Sequence, residues 1–331
     1  MIFDIGIYLL VGVFITVCIS LIIFNFVIIR YGRERIALSA SVIERWKDIL
    51  YKQTIKASGR KFNKSKHERF LLRKLSRAEN LVAYSYALQH LKSDFPVNYS
   101  NYIEKKDAIF QKLSNTYSRK SSIERTCFAD FVCNFPQVAG GMYGQLLMGT
   151  LISYIGNSNV NCRTAVMRAL CNIGNAEGVV NALRAINDKS LFIHNQLLVD
   201  VLSNFRGNKE ILMEYLWNEA HHWNDNILIS VIQFITKFSE DYNEAFLPIL
   251  QDSSANSEVR IAVIQYYAEN IYEPACLTLI ELAANPTEID LATEAASALR
   301  YNERLGDKTD LQEVMEDDSD ILAYMLGLKG A

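Results

Sequence analysis

An all-α fold, an α-solenoid of stacked helix pairs preceded by one transmembrane helix, is what these 331 residues predict, on three observations. From Ile5 to Ile29 the chain runs 25 residues without a charge. Beyond that run, apolar residues recur at helical spacing, and only five prolines are present to interrupt them. One helix–turn–helix pattern then returns about every 32 residues, and a fixed period of that size implies a repeat architecture.

The apolar run comes first. At 1.5 Å per residue it reaches roughly 37 Å, enough to cross a hydrocarbon core of about 30 Å with some tilt. A cleavable signal peptide fits less well: no Lys or Arg precedes the run, it exceeds a typical apolar signal segment, and no A-x-A-like site stands before Arg30. Apolar residues surround this helix instead of forming a stripe, which also sets it apart from a buried globular helix. Arg30, Arg33 and Arg35 follow the run directly, whereas only Asp4 and the terminal amine precede it. The positive-inside bias therefore puts the N-terminus outside and everything after residue 30 in the cytoplasm. A single-pass cell-membrane protein of bacterial type is expected, anchored by residues 1–30. Its six cysteines carry no C-x-x-C pair and no zinc spacing, as suits reduced thiols in that compartment.

The charge is divided unevenly. Residues 30–77 hold 15 basic side chains against four acids, a net of +11, while residues 78–331 carry −13 and the whole chain −3. Within the juxtamembrane neck, 31–77, residues Ile36, Val42, Ile43, Trp46, Ile49 and Leu50 recur at three- and four-residue steps, with Arg45, Lys47 and Lys52 off the apolar stripe. Two readings of this amphipathic helix stand side by side. In one, the neck lies on the anionic inner leaflet, each basic residue contributing on the order of 1 kcal/mol, with Trp46 at headgroup level. In the other, the stripe packs on the following helices and the charges are solvated. A nucleic-acid partner is not expected, because the chain is tethered and its remainder is acidic.

The repeats follow, within a cytoplasmic domain placed at 78–331. Arg125–Phe135 aligns without gaps to Arg163–Ile173, and Ile227–Ile235 aligns to Val259–Tyr267. Units start at Glu124, Cys162, His194, Ile227, Val259 and Ile289, spaced 38, 32, 33, 32 and 30 residues. In the unit at Cys162 the first helix is expected over Cys162–Ile173, Gly174-Asn175 make the turn, and the second helix runs Ala176–Ile186. The second helix of the Val259 unit is expected from about Glu273 to Ala284, with Pro274 in its first turn, where a missing N–H costs nothing. One amphipathic pair cannot bury its apolar face alone, so the pairs must stack. Upstream, Ser76–Lys92 and Tyr102–Tyr117 read as a more divergent pair, and the stretch after Asp310 reads as a terminal cap.

Cys162-Arg163-Thr164-Ala165, Val259-Arg260-Ile261-Ala262 and the small-residue run Ala295–Leu299 resemble HEAT repeats, over roughly 120–310. The units at His194 and Ile227 lack the Arg and the small Ala, which points to a degenerate or bent middle. The resemblance implies an extended protein-binding surface, and with a short anchor it implies a partner among membrane glycosyltransferases or polysaccharide synthases. It also leaves two alternatives: a HEAT-like enzyme of the lyase or DNA-glycosylase type, and a ligand-binding sensor.

Catalytic chemistry is sparsely represented. Gly140, Gly141 and Gly144 fall in an inter-helix turn and follow no strand, so they do not form a phosphate loop. His221-His222, near Glu219 and Asp225, are adjacent and point different ways on a helix. Cys127, Cys133, Cys162 and Cys171 sit at core-like positions with no repeated His as base. No cofactor, metal or enzymatic activity is expected. The expected role is a non-catalytic scaffold that binds a membrane-associated protein partner. Tyr242 and Tyr272 at inter-helix turns, with the acids Glu281, Glu313 and Asp317, are the candidate partner contacts, and Leu170, Ile232 and Ile264 are assigned to the core.

Overall fold

The computed structural model describes residues 40–54, 64–285 and 287–305. The anchor at 1–30 with Arg30, Arg33 and Arg35, the basic stretch around Gly59 and the cap with Glu313 and Asp317 lie outside the described residues. Among the described residues there are sixteen α-helices and no strand, and no helix is long and apolar enough to cross a membrane. Contacts group the chain into two compact units, one up to Thr116 and one from Tyr117. Residues 78–116, which the sequence groups with the repeats, thus pack with the neck helix.

The first unit contains α1 (40–54), α2 (Lys64–Leu75), α3 (Ala78–Asp94), α4 (Pro96–Glu104) and α5 (Asp107–Tyr117), the second unit beginning at the last residue of α5. Its core joins Trp46 and Leu50 of α1 to Leu71 and Leu75 of α2 and to Leu81 and Tyr84 of α3. Trp46 corrects an expectation. Its side chain is 3% exposed, edge-on to Tyr84 at 5.2 Å and 6.0 Å from Phe70, so the indole belongs to the core and not to a headgroup layer. The Tyr84 hydroxyl donates to Tyr102 Oη at 3.2 Å. His67 is buried against Phe70 with Nδ1 3.0 Å from Gln53 Nε2, and burial, helped by Lys106, pushes its pKa down to about 4. Helix α4 fills what reads as a gap between the members of the upstream pair. Pro96 starts it, since a fixed φ and a missing N–H suit a helix's first turn.

The second unit runs through α6 (Ser122–Asn134) and α7 (Gly144–Ser153), α8 (Val160–Ile173) and α9 (Ala176–Asn187), α10 (Asn195–Ser203) and α11 (Lys209–Asn218), α12 (Asp225–Thr236) and α13 (Asn243–Gln251), α14 (Ser257–Glu269) and α15 (Glu273–Ala283), to α16 (Ile289–Leu305). These bounds match the expected helices of the Cys162 and Val259 units to within two residues. Even-numbered helices form one layer, each packed on the next from α6 to α16. In the other layer α7, α9 and α11 pack in succession, and so do α13 and α15. Between α11 and α13 the indole of Trp217 makes the bridge, 4.9 Å from the Phe246 ring and 6.0 Å from that of Tyr242. Two layers of helices in this order are compatible with a helical repeat. Leu170, Ile232 and Ile264 are fully buried, as the periodicity requires; burying each contributes roughly 2 kcal/mol.

The turns are specified residue by residue. Gly174 closes α8 with φ of 79°, in the left-handed region that glycine enters without cost, and its N–H reaches Leu170 O. A side chain at Gly207 would come within 2.5 Å of the Gly174 carbonyl, so two successive connections pack glycine against glycine. Asparagines cap α8, α9, α11, α12 and α14: Asn159, Asn175, Asn208, Asn224 and Asn256 each accept from an N–H of the first turn.

Candidate binding face

Buried arginines hold the even-numbered layer in place. Arg125 Nη1 donates to Tyr154 O at 3.2 Å, and Arg163 Nη2 donates to Phe192 O at 2.7 Å, both 29 residues downstream. Arg260 Nη1 donates to Glu288 Oε2 at 3.1 Å, 28 residues downstream, while its Nε and Nη2 share Leu250 O. All three side chains are buried. Each therefore fastens the first helix of a unit to the segment leading out of that unit, Arg125 and Arg163 through a backbone carbonyl and Arg260 through the Glu288 carboxylate. The Arg that carries the resemblance is structural, and it is not available to a ligand.

Across α10, α12, α14 and α16 the same layer opens into a cavity of about 470 Å³. Its floor is apolar, with Val199, Ala262, Ile264 and Ala298. Its walls are polar and come from residues at helical steps: Gln233 on α12 and Lys237 at its C-cap, Gln265 and Glu269 on α14, and Glu294, Ser297 and Tyr301 on α16, with Gln196 on α10. Gln265 Nε2 donates to Glu294 Oε1 at 2.9 Å, and Gln196 Nε2 to Asp200 Oδ1 at 3.3 Å. Such a surface can exchange hydrogen bonds and hold a cation, but it offers no nucleophile with an adjacent base.

A second cavity, of about 360 Å³, lies along α8 and α10 and is lined by Arg168, Asn172, Asp200, Asn204 and Arg206 with the Cys133 and Cys171 thiols. Asn172 Nδ2 donates to Cys133 O at 3.0 Å and lies 3.1 Å from its Sγ. Burial raises the pKa of Asp130, and the nearby Arg168 opposes that rise. Burial also pushes every described thiol up, Cys171 to about 12, so these sulfurs stay protonated at neutral pH and are poor nucleophiles.

The residues singled out in the sequence are scattered. Arg45 is exposed, Lys47 pairs with Glu44 at 2.8 Å, and Lys52 pairs with Asp48, all on α1 away from the buried Trp46. Tyr242 and Tyr272 are half-buried N-caps of α13 and α15 whose rings pack on Phe246 and Tyr267. Burial raises the pKa of Tyr242, with Glu214 and Asp241 adding to the rise. Glu281 is exposed on α15, in the odd-numbered layer. None of these lines either cavity. His221 and His222 stand exposed on a short 3₁₀ turn with rings 3.9 Å apart, and Glu219 beside them is held by Arg184 at 2.7 and 3.2 Å. Among the described residues no group of three potential metal ligands assembles. The groove glutamines were missed, although Gln233 and Gln265 fall at the same place in the aligned segments Ile227–Ile235 and Val259–Tyr267. A polar residue repeated inside an otherwise apolar helix was the available signal.

Comparison of the chain with family models, with curated proteins and with solved structures gives no match.

Proposed function

We propose that the chain is a non-catalytic scaffold, tethered to the membrane by residues 1–30, whose helix pairs form a HEAT-like solenoid in the cytoplasm and capture a membrane-associated protein. The groove across α10, α12, α14 and α16 carries this reading: one face collects amides, carboxylates and an aromatic ring from four successive helices, as an extended protein-binding surface requires. The buried, protonated thiols and the lack of a nucleophile–base pair in the groove favour binding over turnover. The uncharged run from Ile5 to Ile29 and the three arginines after it support the tether and its orientation. Arg45 and Lys52 lie exposed on α1, so the neck keeps basic groups for an anionic leaflet even though Trp46 is turned inward, Lys52 exchanging its Asp48 partner for lipid. A membrane glycosyltransferase or polysaccharide synthase is the partner class proposed.

Two measurements test this. A reporter fused after Ala331 should be active only in the cytoplasm; activity on the other side of the membrane would overturn the placement. The full chain purified from detergent should bring down one stoichiometric membrane-associated protein, and a chain that comes down alone from cells grown under several conditions would end the scaffold reading.

A further inference from the structure

We propose that the groove receives an extended, arginine-bearing, proline-rich segment of the protein partner. The inference rests on the scaffold reading and names what that surface would recognise.

Spacing is the first argument. Packed helices stand 8–10 Å apart, so the groove meets its occupant with a new side-chain set about every 9 Å. A polyproline II chain repeats after three residues, at 3.1 Å each, and therefore shows the same face about every 9.3 Å. A β-strand repeats about every 7 Å and falls out of step across four helices. Hydrogen bonding is the second argument. A proline-rich segment lacks most N–H donors and leaves its carbonyls unpaired, so it is best met by donors. Gln196, Gln233 and Gln265 place one side-chain amide on each of α10, α12 and α14. Gln233 makes no hydrogen bond to any described residue, and Gln265 keeps one amide hydrogen after bonding Glu294.

Charge decides the side chain. At the α14–α16 end, Glu269 has no ion pair or hydrogen bond among the described residues. Glu294 has only the Gln265 amide, and the Tyr301 ring is 47% exposed in the same cavity. Two carboxylates with an open aromatic face suit a planar guanidinium, which can bond carboxylates side-on and stack on the ring; an ammonium does neither as well. Lys237, at the C-cap of α12, repels a cation from that part of the groove and so favours its seat between α14 and α16.

The test uses the full-length protein in non-ionic detergent and fluorescence anisotropy of a fluorescein-labelled nonapeptide, three repeats of Pro-Pro-Arg, beside its Pro-Pro-Lys and Pro-Pro-Glu counterparts. The arginine peptide should bind, the lysine peptide at least fivefold more weakly, and the glutamate peptide not at all. The double variant Glu269→Gln, Glu294→Gln should lose at least tenfold in affinity with unchanged helicity and melting, while Glu244→Gln, exposed on α13 in the other layer, should bind as before. Equal binding of the lysine and arginine peptides, or undiminished binding by the double variant, overturns the proposal. Copurification separates the two readings. A partner that comes down while no peptide binds leaves the scaffold standing and removes this inference, whereas no partner at all removes the scaffold.

Discussion

Two kinds of unit share the second half of the molecule and close by different means. In the units of α6, α8 and α14 a buried arginine reaches 28 or 29 residues ahead to the segment leaving the unit. The middle units, of α10 and α12, have no such arginine. There Trp223 Nε1 donates to Leu216 O at 2.9 Å, and Asn187 Oδ1 accepts from the backbone and side chain of Asn224 at 2.9 Å. Tyr266 Oη accepts from the Tyr242 N–H at 3.1 Å, and Tyr267 Oη donates to Asn243 O at 2.5 Å. Trp217 takes up the space between α11 and α13 that backbone packing fills elsewhere. The two-layer packing thus continues through the middle pairs without the arginine, because aromatic and amide groups bond the connecting segments there.

Core truncation should have the largest effect and should treat the two kinds alike. Leu170→Ala in an arginine unit and Ile232→Ala in a middle unit should each cost about 2–5 kcal/mol in urea denaturation, and a large disparity would mean that the middle is loosely packed. The arginine step is next. Arg163→Met strands the Ser158 and Phe192 carbonyls and should cost about 2–3 kcal/mol, with local hydrogen exchange quickening at the end of α9. Removing one hydroxyl or indole bond, by Tyr267→Phe or Trp223→Phe, should cost about 1 kcal/mol. If Arg163→Met is no more harmful than Trp223→Phe, the distinction between the units disappears.

A pH scan sharpens the comparison from outside the repeats. His67, held to about 4 against an ordinary value of 6.5, is neutral in the fold, so its unfolded form takes up the proton first. Stability is fully present above pH 6.5 and should fall as the pH drops from 6.5 towards 4. His67→Gln should flatten that slope, and Arg163→Met should leave it, because the clamp's carbonyl partners do not titrate. Thermal melts at pH 7, 6, 5 and 4 are sufficient to read it.

The repeat period was legible because turn residues mark each unit and the apolar stripe between them has helical spacing. Gly174 and Asn175 are read in the sequence as a turn and found as the C-cap of α8 and the N-cap of α9. Arg163 and Arg260 were recognised as a pattern, but their targets at Phe192 and Glu288 depend on the return path of the chain, which local spacing does not encode. Helix α4 escaped the sequence reading, which left 93–101 between the members of the upstream pair; a proline such as Pro96 ends helices as well as starting them. Trp46 fits either a headgroup layer or a core on its own helix, and only Tyr84 and Phe70, from other helices, decide between them. The groove was hidden for the same reason: Gln196, Gln233 and Gln265 converge only after three helices have packed.

The reach of the arginine clamps also sets how the chain acquires its structure. A contact closed within 28 or 29 residues requires only a short loop to be ordered, so a clamped unit can form as soon as its own two helices and a neighbouring pair to stack on have left the ribosome. Synthesis runs from α6 towards α16, and the clamped units of α6 and α8 are made before the unclamped middle. The early units would then serve as a template on which α10 and α12 condense, leaving the stretch without clamps the slowest to consolidate and the first point of entry for chaperones or proteases.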